Sequence, residues 1–290
     1  MAIKNFIKTL LELAKVRITF AVALTTITGY VLATESFDTG LILPALGIFL
    51  LACGSSAINH YQERERDAKM ERTRGRPIPA GRITPSGALA FALILSLAGS
   101  YILLIGSGFT GMQLGLLALL WYNAVYTPLK RITAFAVVPG AVIGSIPPLV
   151  GWVAGGGQLF DPRAMIMAFF FFIWQVPHFW LLMLKYGEEY KAAGFPSITS
   201  LYSTAQIKNI TFIWILATAV SALMLPFFNV VDSWVVIAGM IVSSAWLVIV
   251  FTGMLRKKEK KFNPFHYFMR INYYVLSIII LLSIDHFFAV

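Results

Sequence analysis

Nine runs of mostly apolar residues divide this sequence, at roughly 17–34, 41–58, 87–106, 110–127, 133–153, 164–184, 210–228, 233–254 and 271–288. A helix needs about 20 such residues to cross the hydrocarbon core of a bilayer. Inside lipid no water satisfies backbone polar groups, so each run must close its hydrogen bonds within itself as a helix. The runs use most of the 290 residues and leave no room for a separate soluble module. The expected fold is an all-α integral membrane protein, a bundle of about nine transmembrane helices forming one domain over residues 1–290. Charged residues make up 12% of the chain and its mean hydropathy is +0.78. Soluble domains carry about twice that share of charge. A soluble enzyme, a disordered chain and a nucleic-acid-binding domain are therefore excluded, despite a net charge of +10.

The basic residues are distributed one-sidedly. With nine crossings, one side receives the N-terminal segment to Arg17, then 60–86, 128–132, 185–208 and 255–270. These segments hold 22 of the 23 Lys and Arg residues, and Arg163 alone falls on the other side. Loops rich in Lys and Arg stay in the cytoplasm. The N-terminus and the two long loops, 60–86 and 185–208, are thus expected inside a cell (inner) membrane, with the C-terminus outside. Lys4 and Lys8 precede an apolar stretch as in a signal peptide. No small-residue cleavage pattern follows, which predicts a retained first helix. Cys53 is the only cysteine and lies within the second run, so disulfides and thiolate metal sites within one chain are excluded.

Chemistry concentrates in the polar breaks on the basic side. Asn59, Glu63 and Asp67 follow the second run at i, i+4 and i+8. If that helix continues past the membrane surface, the three lie on one face. Their oxygens suit a hard cation such as Mg²⁺, which commonly bridges one or two carboxylates to a substrate phosphate. Arg72, Arg74 and Arg76 come next, and guanidinium groups match phosphate oxygens in pairs. After the sixth run, Glu188 and Glu189 emerge on the same side, with Lys185 one turn before them. Tyr126, Lys130 and Arg131 sit at the end of the fourth run. Together these residues suggest a metal–diphosphate site. His178 lies about two turns inside the sixth run, beside Pro177. An ionisable residue at that depth is a functional candidate by default.

Several of these stretches resemble the UbiA superfamily of intramembrane prenyltransferases. Asn59, Glu63 and Asp67, followed by Arg72-Thr73-Arg74-Gly75-Arg76-Pro77, stand where the superfamily has its first acidic motif and an Arg-Thr-x-x-Arg-Pro element. Its Tyr-x-x-x-Lys element is matched by Tyr126 and Lys130. Within the superfamily the heme O synthase branch is most similar. That likeness rests on 126–133, on Pro147-Pro148-Leu149-Val150-Gly151-Trp152, on Pro177-His178-Phe179-Trp180 and on 189–196. Glu63 and Glu65 replace the more usual Asp, and Ser197-Ile198-Thr199 replace Met-Leu-Pro.

The resemblance implies a UbiA-type bundle and an Mg²⁺-dependent farnesyl transfer from farnesyl diphosphate to heme B, giving heme O and diphosphate. It implies Mg²⁺ held by Asn59, Glu63, Asp67, Glu188 and Glu189. Arg72, Arg76, Tyr126, Lys130 and Arg131 would hold the diphosphate, and His178 the heme or acceptor. The protein that delivers or receives heme is not identified by it. Two other readings stay open: prenyl transfer to an aromatic or quinone precursor, and a transporter with a basic cytoplasmic vestibule.

Overall fold

The computed structural model describes residues 2–256 and 262–288. Lys257, Lys258, Lys260 and Lys261, counted above in the last basic loop, lie outside the described residues. The described chain is helical, and eight of its helices are long and apolar enough to cross a membrane.

One of the eight, Pro85–Leu129, has 45 residues. At 1.5 Å per residue it would be about 68 Å long if straight, against a hydrocarbon core of about 30 Å. It breaks at Gly108, whose φ of 67° and ψ of −172° are closed to residues with a side chain. The two limbs fold back on each other. A Cβ on Gly115 would lie 2.4 Å from Leu103 Cδ1, and in one straight helix those residues would be more than three turns apart. The hairpin makes nine crossings, as the nine runs predict.

We label the helices α1 (Ala2–Ala14), α2 (Val16–Thr34), α3 (Ile42–Asp67), α4 (85–107), α5 (109–129), α6 (Val137–Ala154), α7 (Pro162–Ala192), α8 (Thr204–Leu223), α9 (Trp234–Arg256) and α10 (Pro264–Ile284). Only α1 is too short and polar to span. It leaves Ile3, Phe6, Ile7 and Leu11 exposed and packs Leu13 against Ile78, Ala88 and Ala92.

Local chemistry sets where several spans begin. Thr84-Pro85, Asp161-Pro162 and Asn263-Pro264 each place a polar cap before a proline. The cap side chain accepts an orphan N–H, and proline costs nothing at N1. The Asn263 cap explains why α10 starts before the apolar run at 271–288. Spans α2 and α6 approach closely because glycine removes the Cβ. A methyl on Gly29 would sit 1.9 Å from the Pro148 carbonyl oxygen, and one on Gly151 1.8 Å from that of Thr26. Trp152, next in this stretch, is buried and donates its indole N–H to Gln158 O at 3.1 Å. The 147–152 stretch thus has a packing role.

Candidate active site

Helix α3 does continue past its apolar run, to Asp67. Asn59, Glu63 and Asp67 are all buried on its inward face. The opposing wall is the end of α5, where one wide turn over Trp121–Tyr126 replaces the α-helical pattern. In that turn the Thr127 N–H reaches back to Tyr122 O. The next donor in the series would be the N–H of residue 128, which is Pro128 and has none. The orphaned Asn123 carbonyl is met instead from α3, by Gln62 Nε2 at 3.0 Å. Asn123 Nδ2 donates to Ser55 Oγ at 2.6 Å, and Asn59 Nδ2 donates to Thr127 Oγ1 at 3.2 Å. These amide–hydroxyl bonds fix α5 against α3 and bring Lys130 to Glu63.

Each polar residue of the α3 row meets a cation. Lys130 Nζ lies 2.6 Å from Glu63 Oε1. Arg76 Nη1 donates to both Asp67 oxygens, at 2.8 and 2.7 Å. Lys15 Nζ donates to Asn59 Oδ1 at 3.3 Å. Thr73 Oγ1 donates to Asp67 O at 2.9 Å, which holds the loop carrying Arg76. Burial acts to lower the Lys130 pKa, but the Glu63 carboxylate overrides it and holds the value above that of ordinary lysine. Lys15 has no carboxylate so close. Removal from water, reinforced by Arg76, pulls it down to about 7.

This row forms the polar end of a cavity of about 800 Å³, within the range of small-molecule sites. Arg72, Arg76, Tyr126, Lys130 and His178 line the same cavity. The rest of its wall is largely apolar and aromatic, with Phe171, Trp174, Phe179 and Phe268 among the lining residues. His178 stands 4.6 Å from the Phe268 ring and 4.9 Å from that of Trp174. Among the described residues its Nδ1 and the Trp174 indole nitrogen have no hydrogen-bond partner.

Glu188, Glu189 and Arg131 do not line the cavity. Glu188 is 85% exposed and pairs with Lys191 at 2.8 Å. Glu189 accepts the backbone N–H of Arg72 at 3.2 Å, tying the two inside loops together. Met70 packs with Ala193 and Phe195 at the same junction. Arg131 donates to Gln62 O at 2.6 Å. Lys185 lies over the Phe265 ring, 3.9 Å from its centre.

Lys15 and Arg17 line the cavity and were absent from the site expected from sequence. Their only sequence signal is basic charge just before the first apolar run. Nothing along the chain links Lys15 to Asn59, 44 positions on.

The donor set fits Mg²⁺. It consists of two carboxylates and an amide oxygen on one helix face, leaving the remaining coordination to substrate oxygens and water. Among the described residues no group of three or more His, Cys, Asp or Glu could hold a metal alone.

A membrane bundle with an ionic end opening into an apolar cavity suits an amphiphilic anion with a long apolar tail. The chain belongs to the UbiA prenyltransferase family, whose model matches residues 22–273. It is 34% identical over 274 residues to the protoheme IX farnesyltransferase of Oleidesulfovibrio alaskensis, covering 94% of this chain and 95% of that one. It is 39% identical over 220 residues to that of Geobacter sulfurreducens, covering 76% and 81%. The fold matches a solved digeranylgeranylglyceryl phosphate synthase structure with a TM-score of 0.76 at 16% identity, covering 97% and 98% of the two chains. It also matches a UbiA homologue from Archaeoglobus fulgidus bound to GPP and Mg²⁺, with a TM-score of 0.70 at 14% identity, covering 94% and 98%.

Proposed function

We propose that this protein transfers the farnesyl group of farnesyl diphosphate to heme B, with water, giving heme O and diphosphate. One observation carries the reading. The row Asn59, Glu63 and Asp67, each facing a basic side chain, lines a cavity whose remaining wall is largely apolar and aromatic. The names of its relatives select the farnesyl donor and the heme acceptor. The whole chain acts as one domain in the cell membrane, with the loops 60–86 and 185–208 on the cytoplasmic side.

Mg²⁺, held by Asn59, Glu63 and Asp67, would neutralise charge on the diphosphate as it leaves. Arg72, Arg76 and Lys130 hold the diphosphate oxygens, and the Tyr126 hydroxyl adds a donor. These fixed groups favour the leaving diphosphate over the bound substrate, because negative charge grows on it as the allylic C–O bond breaks. Glu189 acts indirectly, by holding the Arg72 loop. The electron pair of that bond leaves with the diphosphate. The terminal carbon of a heme vinyl group attacks the allylic cation, and water adds at the adjoining carbon with loss of a proton. Aromatic walls stabilise the cation and keep other water out. His178 and Trp174 offer unpartnered nitrogens on the acceptor side.

The test is mass spectrometry of hemes after incubating the detergent-solubilised protein with heme B, farnesyl diphosphate and Mg²⁺. The expected product is heavier by one farnesyl group plus one hydroxyl, and is lost with chelator. Prenylation of a phenolic acceptor without any heme product would move the substrate to an aromatic precursor. No diphosphate release with any acceptor would end the transferase reading.

A further inference from the structure

Two of the three cations that meet the α3 row, Arg76 and Lys130, belong to the motifs that announce a diphosphate site. The third does not. Lys15 sits at the joint between α1 and α2 and has a left-handed backbone, φ 47° and ψ 47°. That conformation is disfavoured for a residue with a side chain, so the surrounding structure must hold it there. Its effect is to send the ammonium group into the cavity, onto Asn59 Oδ1. Lys130 and Arg76 are neutralised by carboxylates, whereas the partner of Lys15 is a neutral amide. Among the described residues the site therefore holds a third basic side chain with no counter-charge of its own, beside two paired cations, where an anion is to bind. That amide oxygen is also the one expected to bind the metal.

We propose that Lys15 is a further diphosphate-binding residue held in reserve by Asn59. On loading, Asn59 Oδ1 turns from Lys15 to the divalent cation, and Lys15 turns to a diphosphate oxygen. Glu63 and Asp67 exchange partners in the same way, releasing Lys130 and Arg76 to the anion. A divalent cation alone must displace three basic side chains and leave them facing one another. Diphosphate alone must compete with two carboxylates. Each ligand therefore strengthens the binding of the other by the same factor. The inference rests on the metal–diphosphate reading of this site.

The test uses the full chain in detergent, Mn²⁺ as the metal probe, and farnesyl thiolodiphosphate as a donor analogue that does not turn over. Mn²⁺ binding is followed by electron paramagnetic resonance. Lys15→Gln keeps an N–H donor for Asn59 and removes the charge. It should bind Mn²⁺ alone more tightly than the wild type does. With Mn²⁺ saturating, it should bind the analogue about tenfold more weakly, the scale of one charge-assisted hydrogen bond. Lys15→Arg should restore most of the analogue affinity. A purely structural role for Lys15 would lower both affinities, and that result, or an unchanged analogue affinity in Lys15→Gln, overturns the proposal. If Lys15→Gln does not fold, the wild type decides: Mn²⁺ and the analogue should raise each other's affinity, and independent binding overturns the proposal. Failure of the wild type to bind the analogue even with Mn²⁺ would instead sink the metal–diphosphate reading, and this inference with it.

Discussion

At the residue scale, charge pairing and chemistry compete for the same atoms. Asp67 has no solvent exposure and accepts two hydrogen bonds from Arg76. Replacing Asp67 with Asn keeps an acceptor for Arg76 but removes the negative charge. Turnover should fall about 100-fold or more, the scale of losing one preorganised electrostatic contact. The cooperative melt should persist, lowered by only a few degrees. Full turnover in Asp67→Asn would remove Asp67 from the metal set. Lys130 and Glu63 predict a different pattern. Lys130→Met strands a buried carboxylate and should cost about 3 kcal/mol. Adding Glu63→Met to that variant should recover most of the loss without recovering activity. Thermal unfolding of the two single variants and the double variant in detergent measures this. A double variant no more stable than Lys130→Met would show that the pair does not act through charge.

At the element scale, glycine decides how spans turn and how closely they pack. Gly108 joins α4 to α5 with a conformation that only glycine adopts readily, and a Cβ there would meet nothing within 4 Å. Gly108→Ala should therefore cost backbone strain alone, about 1–3 kcal/mol, and leave turnover per folded molecule unchanged. Gly151→Ala is a packing test. Its methyl would lie 1.8 Å from Thr26 O, so α2 and α6 must separate. The cost should be about 2–3 kcal/mol, as for overpacked cores. Because α2 and its neighbour Lys15 line the cavity, Gly151→Ala should also weaken donor binding. Melting curves and a donor KM for both variants check these contrasts. Equal effects of the two substitutions on KM would contradict the assigned roles.

At the scale of the whole molecule, the protein is a multi-pass bundle whose basic loops gather at one end, over the ionic end of the cavity. The lone Cys53 is buried and faces Thr19 Oγ1 at 3.3 Å, so the wild type should resist membrane-impermeant thiol reagents. On that blank background, Glu65→Cys should be labelled only from the cytoplasmic side and Gly156→Cys only from the other. Labelling of both from one side would overturn the nine-crossing topology. That topology was legible in the sequence, along with the helix α3 running on to Asp67 and the residues Asn59, Glu63, Asp67, Arg76 and Lys130. Hydropathy, helical spacing and charge bias are local properties, written within about twenty residues of one another. Three sequence expectations met a different geometry: Glu188 turns out to solvent, Glu189 accepts the Arg72 backbone N–H and Arg131 binds a backbone carbonyl. Neighbouring side chains on a helix point about 100° apart, and composition does not say which of Glu188 and Glu189 turns toward the Arg72 loop. The sequence by itself determined the membrane class, the number of crossings, the side on which basic residues crowd and the residue types that line the polar part of the cavity. Only the tertiary structure decided which cation each ligand holds, that Gly108 closes a hairpin, and that Lys15 reaches Asn59. Those outcomes depend on helix rotation and on the distance between spans, which contacts between residues far apart in the chain set.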